Sequence, residues 1–199
     1  MFTKALFALP LAFVLVAAKP AAPAPAAAPA PLSIAAPADV AANPANKLTL
    51  QLSNGGTVVI QMRPDIAPHH VAQIQTLVRQ GFYDGLTFHR VIPGFMAQGG
   101  DPKGTGEGGS NLPNVKAEFT QMPFLRGTAA AARADDPDSA NSQFFIMFAP
   151  KGDMTGNYTV WGRVISGMDA VDGIAPGEPP AEPTKIVHAS LGDMTTASK

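Results

Sequence analysis

The 199-residue chain contains no cysteine. That excludes a disulfide framework, a thiolate metal site, a cysteine nucleophile and lipid attachment through a thiol. It also lacks an excess of either charge: the formal net charge is −1, so the totals carry no electrostatic footprint for nucleic acid or an acidic membrane surface. No apolar run reaches the roughly 20 residues that an ordinary membrane span needs. The four histidines, His69, His70, His89 and His188, lack metal-ligand spacing and have no acidic partner placed with them, so neither metal nor cofactor is expected. His69 and His70 are expected to be solvated. Ser142, His89 and Asp101 could be assembled into a triad on paper, but no nucleophile-elbow sequence surrounds the serine, and hydrolysis is not the reading.

What the chain does have is 20 prolines and 19 glycines, which point to many turns and at least one extended linker. Met1–Ala18 runs from one early positive charge (Lys4) through an apolar stretch to small residues at Ala17 and Ala18. That is the order of a secretory signal peptide, and Pro10 disfavours a core helix; an uncleaved anchor is the alternative. Residues 19–46 are mostly Ala and Pro with hardly any large apolar side chain. Such a segment cannot bury enough surface to offset the entropy of ordering it, so a disordered spacer is expected, with the folded domain spanning 47–199.

Within that domain, Lys47–Leu52 and Thr57–Met62 alternate apolar and polar residues around Ser53-Asn54-Gly55-Gly56, a hairpin pattern. Pro68 then opens a helix with Val71, Ile74, Leu77 and Val78 on one face and Gly81 as its stop. Six short apolar segments follow, at Leu86–Val91, Phe95–Gly99, Thr128–Ala132, Gln143–Phe148, Thr159–Val164 and Lys185–Leu191, with a weaker helical segment at Gly167–Val171. Many short strands with one or two helices indicate an antiparallel barrel or sandwich.

Gly104–Gly109 satisfies G-x-G-x-x-G, but Pro102 precedes it and Pro113 follows it, with no helix start between. A surface loop is the better account than a dinucleotide site. The informative stretch is Phe88–Asp101, FHRVIPGFMAQGGD, which sets a guanidinium, an aromatic ring, a thioether and an amide on two adjoining short strands. Alternation over Phe95–Gly99 places Phe95, Ala97 and Gly99 on one face, with Met96 and Gln98 on the other. Spacing alone leaves this stretch open between a core strand beside a surface arginine and a functional groove.

The stretch resembles the signature of the cyclophilin family of peptidyl-prolyl isomerases. So do Gly81–Thr87, Gly106–Gly109, Glu118-Phe119, Arg126–Thr128, Ala132-Arg133, Ser139–Ile146 and Gly156–Val164, in the family's order, over about Leu48–Met194. The resemblance implies a mainly β fold, a closed eight-stranded antiparallel β-barrel capped by two α-helices, with the substrate in an outer groove. It implies isomerisation of Xaa–Pro bonds, assisting the folding of exported, periplasmic proteins, or alternatively a proline-peptide-binding module or chaperone with little turnover. Arg90 is then the catalytic residue. Phe95, Met96, Phe145 and Met154 form the proline pocket; Gln98 and the backbone around Ala132 and Arg133 hold the peptide; Gln143 lines the groove. Tyr158 stands where many eukaryotic members carry His. The implied partners are proline-containing polypeptides, with no nucleic acid and no membrane contact beyond the export signal, and a monomer is expected. Two departures stand out: Ala131 replaces the usual Met, and Asp153 stands where many members have a Trp associated with cyclosporin binding. Weak cyclosporin inhibition is therefore expected; full inhibition near stoichiometric drug would refute it.

Overall fold

A computed structural model describes residues 32–192. The leader reading at Met1–Ala18, and the Ala/Pro stretch up to residue 31, lie outside the described residues.

Lys47–Leu52 (β1) and Thr57–Met62 (β2) form the expected hairpin, in register from Lys47 opposite Gln61 to Gln51 opposite Thr57. The turn works because Asn54 accepts from the Gly56 N–H while Gly55 takes a positive φ of 83°. Six further strands follow: Phe88–Ile92 (β3), Met96–Gly99 (β4), Thr128–Ala131 (β5), Phe144–Met147 (β6), Val160–Ser166 (β7) and Ile186–Leu191 (β8). They make one antiparallel sheet in the order β3-β4-β6-β5-β7-β2-β1-β8. Among the described residues the α-helices are Ala38–Ala42 (α1), Pro68–Arg79 (α2) and Met168–Asp172 (α3). Helix α2 buries Val71, Ile74, Leu77 and Val78 in the main core, so the 3.6-residue pattern in the sequence is its packing face.

The sheet curls but stays open. Edge strands β3 and β8 share no ladder; they meet at an isolated bridge between Thr87 and Lys185. Phe88 N–H donates to Thr184 O (2.9 Å), and Ile186 N–H to Leu86 O (2.8 Å). The closed barrel expected from the resemblance is thus corrected to a half-barrel with a short stitched seam. The segment leading into β8 carries Pro176, Pro179, Pro180 and Pro183, and prolines have no N–H with which to extend a ladder.

A second correction concerns residues 32–46. This part of the expected spacer is folded, with α1 followed by a 3-10 turn at Pro44–Asn46, and with Val40 and Asn46 buried. It is held by polar groups rather than grease. Gln61 Nε2 donates to Asn46 O (3.1 Å), Gln75 Nε2 to Ala45 O (2.9 Å), and Arg63 Nη1 to Ser33 O (3.0 Å) and Ile34 O (3.2 Å). Composition weighs apolar burial in the segment itself and does not see side chains elsewhere that need its carbonyls.

The sheet serves two apolar layers at once. Ala97, Ala129, Ala131, Phe144 and Ile146 face the main core, beside Phe88 and Trp161. Their neighbours Met96, Ala130, Phe145 and Met147 face a separate cluster with Phe124, Met122, Met154 and Val160. Successive strand residues point to opposite faces, so β6 (FFIM) and the Ala129–Ala131 run of β5 read as continuously apolar. The outer cluster is where the cleft forms.

Candidate active site

A row of facing residues crosses the outer side of the sheet. Arg90 on β3 lies opposite Gln98 on β4, Gln98 opposite Phe145 on β6, and Phe145 opposite Ala130 on β5. Arg90 reaches this face because β3 carries a bulge. Phe88 pairs with Gly99 and Arg90 with the very next residue, Gln98, leaving His89 as the extra residue. Without it, Phe88 and Arg90 would share a face; with it, Phe88 stays in the core and Arg90 turns outward.

A cleft of about 250 Å³ is lined by Arg90, Phe95, Met96, Gln98, Ala132, Arg133, Phe145, Met154 and Tyr158. These are the predicted site residues with one exception, Gln143. Gln143 instead accepts from Gln98 Nε2 (2.8 Å) and donates to Gly106 O and Gly108 O (both 2.8 Å), lining an adjoining cleft of about 580 Å³. Gln98, Ala132 and Arg133 line both clefts. Phe95 departs from strict alternation. The strand begins only at Met96, so Phe95 sits in the preceding turn and packs with the outer cluster beside Met96.

Packing holds the floor rigid. Phe145 stacks on Phe124 at 6.2 Å and meets Tyr158 edge-on at 5.7 Å, within the spacing where aromatic pairs gain beyond area burial. Arg133 covers the Tyr158 ring at 4.9 Å and is pinned by the carbonyls of Ala134 (2.8 Å) and Asn157 (3.1 Å). Sequence reading assigned Arg133 only its backbone; the side-chain role depends on Tyr158, 25 residues on in the chain by their numbers, and had no local signal.

The glycine-rich loop walls the adjoining cleft as an anion-holding turn turned inward. Burial pushes the Asp101 carboxyl up, but it accepts from the N–H groups of Lys103 (2.8 Å), Thr105 (2.9 Å) and Gly106 (2.6 Å), and their net effect holds it below its ordinary value. A Cβ at Gly108 would lie 1.8 Å from Asp101 Oδ1, so only glycine fits there. Burial keeps His89 below its ordinary value, despite the pull of Asp101, so the ring beside Arg90 is neutral near pH 7. Ser142 donates to Gly100 O (2.7 Å) and both His89 nitrogens lack partners among the described residues, so no Ser–His–Asp relay exists.

The lining contains no Ser, Cys, His or carboxylate. It offers an apolar notch, an amide, and a guanidinium whose terminal nitrogens have no hydrogen-bond partner among the described residues; only Nε is engaged, by Glu178 (2.7 Å). Such a site can hold a small ring and present a charged donor without breaking a bond. Residues 47–191 match the sequence profile of the family described as cyclophilin type peptidyl-prolyl cis-trans isomerase/CLD. The chain belongs to this family.

The cyclophilin assignment extends to relatives and solved structures. A probable peptidyl-prolyl cis-trans isomerase of Brucella suis is 50% identical over 166 residues, covering 75% of this chain and 84% of the relative. Peptidyl-prolyl cis-trans isomerase B of Bacillus subtilis is 41% identical over 128 residues, covering 64% and 89%. A cyclophilin from Hirschia baltica superposes with a TM-score of 0.69 at 31% identity, covering 75% of this chain and 74% of its own. The chain is thus an enzyme of the peptidyl-prolyl isomerase class. The histidine expectations are partly overturned: His69 is exposed as expected, but His70 is buried against Glu118 (2.6 Å), and His188 pairs with Asp84 (2.9 Å).

Proposed function

We propose that this isomerase turns Xaa–Pro bonds in the 250 Å³ cleft, with Arg90 as the catalytic group, and that its substrates are exported polypeptides. The supporting observation is the pairing of an unengaged guanidinium end with an apolar notch built from Phe95, Met96, Phe145 and Met154.

An Xaa–Pro bond rotates slowly because its amide is partly double-bonded, with a barrier of roughly 18–20 kcal/mol. A donor aimed at the prolyl nitrogen favours the pyramidal, singly bonded form, in which rotation is easy. Arginine stays charged at any working pH and its fork is planar, so lysine is a poor substitute. The notch holds the ring while the acyl side turns, and it keeps water from weakening the bond. Gln98 and the main chain at Ala132 and Arg133 grip the peptide backbone. One charge-assisted hydrogen bond contributes about 1.5–3 kcal/mol, or one to two powers of ten in rate.

Arg90→Ala is expected to remain folded, keep peptide affinity within a few-fold, and lose about a hundredfold in kcat/KM toward a short Xaa–Pro peptide in an exchange measurement. Wild-type turnover by the folded variant would sink the Arg90 role. Binding of the peptide by the wild-type chain without any acceleration would favour the alternative, a proline-peptide-binding module.

Export rests on the charge-then-apolar-then-small order of residues 1–18. In a bacterium with two membranes that means the periplasm, with the enzyme acting there as a monomer. Fusing residues 1–46 to a reporter active only outside the cytoplasm should yield activity; a silent fusion in a cell that exports a control leader would refute it.

A further inference from the structure

The loop between α3 and β8 brings a carboxylate to Arg90 from 88 residues away along the chain. Gly177 and Val91 exchange both backbone hydrogen bonds, Val91 N–H to Gly177 O at 2.8 Å and Gly177 N–H to Val91 O at 2.9 Å. This two-bond clamp is made to the residue next to Arg90. It is specific to this backbone path: Gly177 sits at φ +142°, and a Cβ there would fall 2.6 Å from Pro180. The clamp places the following residue, Glu178, so that its Oε2 accepts from Arg90 Nε at 2.7 Å.

Two features argue that this contact serves the cleft rather than the fold. The pair is 42% and 51% exposed, a setting in which ion pairs add little stability. And Glu178 takes Nε alone, leaving both terminal nitrogens of the guanidinium without partners among the described residues, beside the apolar notch. An arginine side chain has many rotamers. Holding it at Nε fixes the plane of the fork while the end that would face a prolyl nitrogen stays available.

We infer that Glu178 is a positioning residue for isomerisation: it orients the Arg90 guanidinium toward the cleft without touching substrate. This rests on the Arg90 reading above. The role is absent from the local sequence, because it depends on a loop docking across the open seam of the sheet.

The test uses the full chain and a short Xaa–Pro peptide. Glu178→Gln is expected to lower kcat about three- to tenfold with KM within twofold. The Nε–H resonance of Arg90 should exchange slowly with water in the wild type and quickly in the variant. In an Arg90→Ala background, Glu178→Gln should change nothing further, as befits a residue acting through another. Wild-type kcat in Glu178→Gln beside a crippled Arg90→Ala overturns the positioning role and leaves the Arg90 reading standing. A change in KM alone, an equal loss in the Arg90→Ala background, or fast Nε–H exchange in the wild type overturns it too. Full activity of Arg90→Ala removes both readings together.

Discussion

At the start of α2, His70 lies buried with Nδ1 2.6 Å from Glu118 Oε2, and its Nε2 has no partner among the described residues. Burial pushes His70 below its ordinary value of 6.5, outweighing the pull of Glu118. The neutral ring satisfies the carboxylate through an Nδ1 proton; a second proton on Nε2 would be a buried donor without an acceptor. The folded value lies below the unfolded one, so the unfolded chain binds the proton more readily. This stability is complete above about pH 6.5 and is lost as pH falls through the folded value. Burial alone would raise Glu118, but the His70 ring and the N–H groups of His69 and His70 bring it below its ordinary 4.5. Its loss has the same sign and begins lower. Thermal melts at fixed ionic strength should show the melting temperature falling as the pH drops below about 6.5. His70→Asn, whose amide still serves Glu118 but does not titrate, should make that fall shallower and leave the share of His89, which burial also holds below its ordinary value; an unchanged slope would assign the fall to other groups.

Among elements, α2 shows the limit of reading boundaries from sequence. Pro68 at its first turn and Gly81 beyond its end, at φ +67°, were both legible, because they act on their own backbone. Its N-terminal cap was not legible. Ala67 offers no capping side chain, and Glu118 takes the N–H groups of His69 and His70 at 3.0 Å each from a loop 48 residues past His70. Glu118→Ala removes two caps and strands the His70 donor, so it should cost about 2–3 kcal/mol in urea unfolding, with Glu118→Gln in between. Equal stability of the alanine variant would show that the helix start is satisfied otherwise. The strands divide the same way. The β1–β2 hairpin was readable from its alternation and turn, whereas the His89 bulge was invisible in FHRVI, because a bulge is a property of the pairing and not of one strand.

For the whole molecule, residues 32–46 belong to the folded unit. Val40 is 8% exposed, and its carbonyl and that of Asn46 take the buried Gln61 amide. A chain starting at Lys47 should therefore be about 2–4 kcal/mol less stable in urea than one starting at Leu32, from lost burial and stranded donors. Equal midpoints would mean that this arm contributes nothing. The family, the hairpin, α2 and nearly all the cleft residues were present in the linear order of residues, since turn chemistry, periodicity and motif identity act over a few positions. Three-dimensional closure decided the rest: the open seam, the outward turn of Arg90, the stacking of Arg133 on Tyr158, and the reach of Glu178 and Glu118 across the molecule. Each of these couples groups tens of residues apart, and such contacts exist only once the sheet has brought its strands side by side.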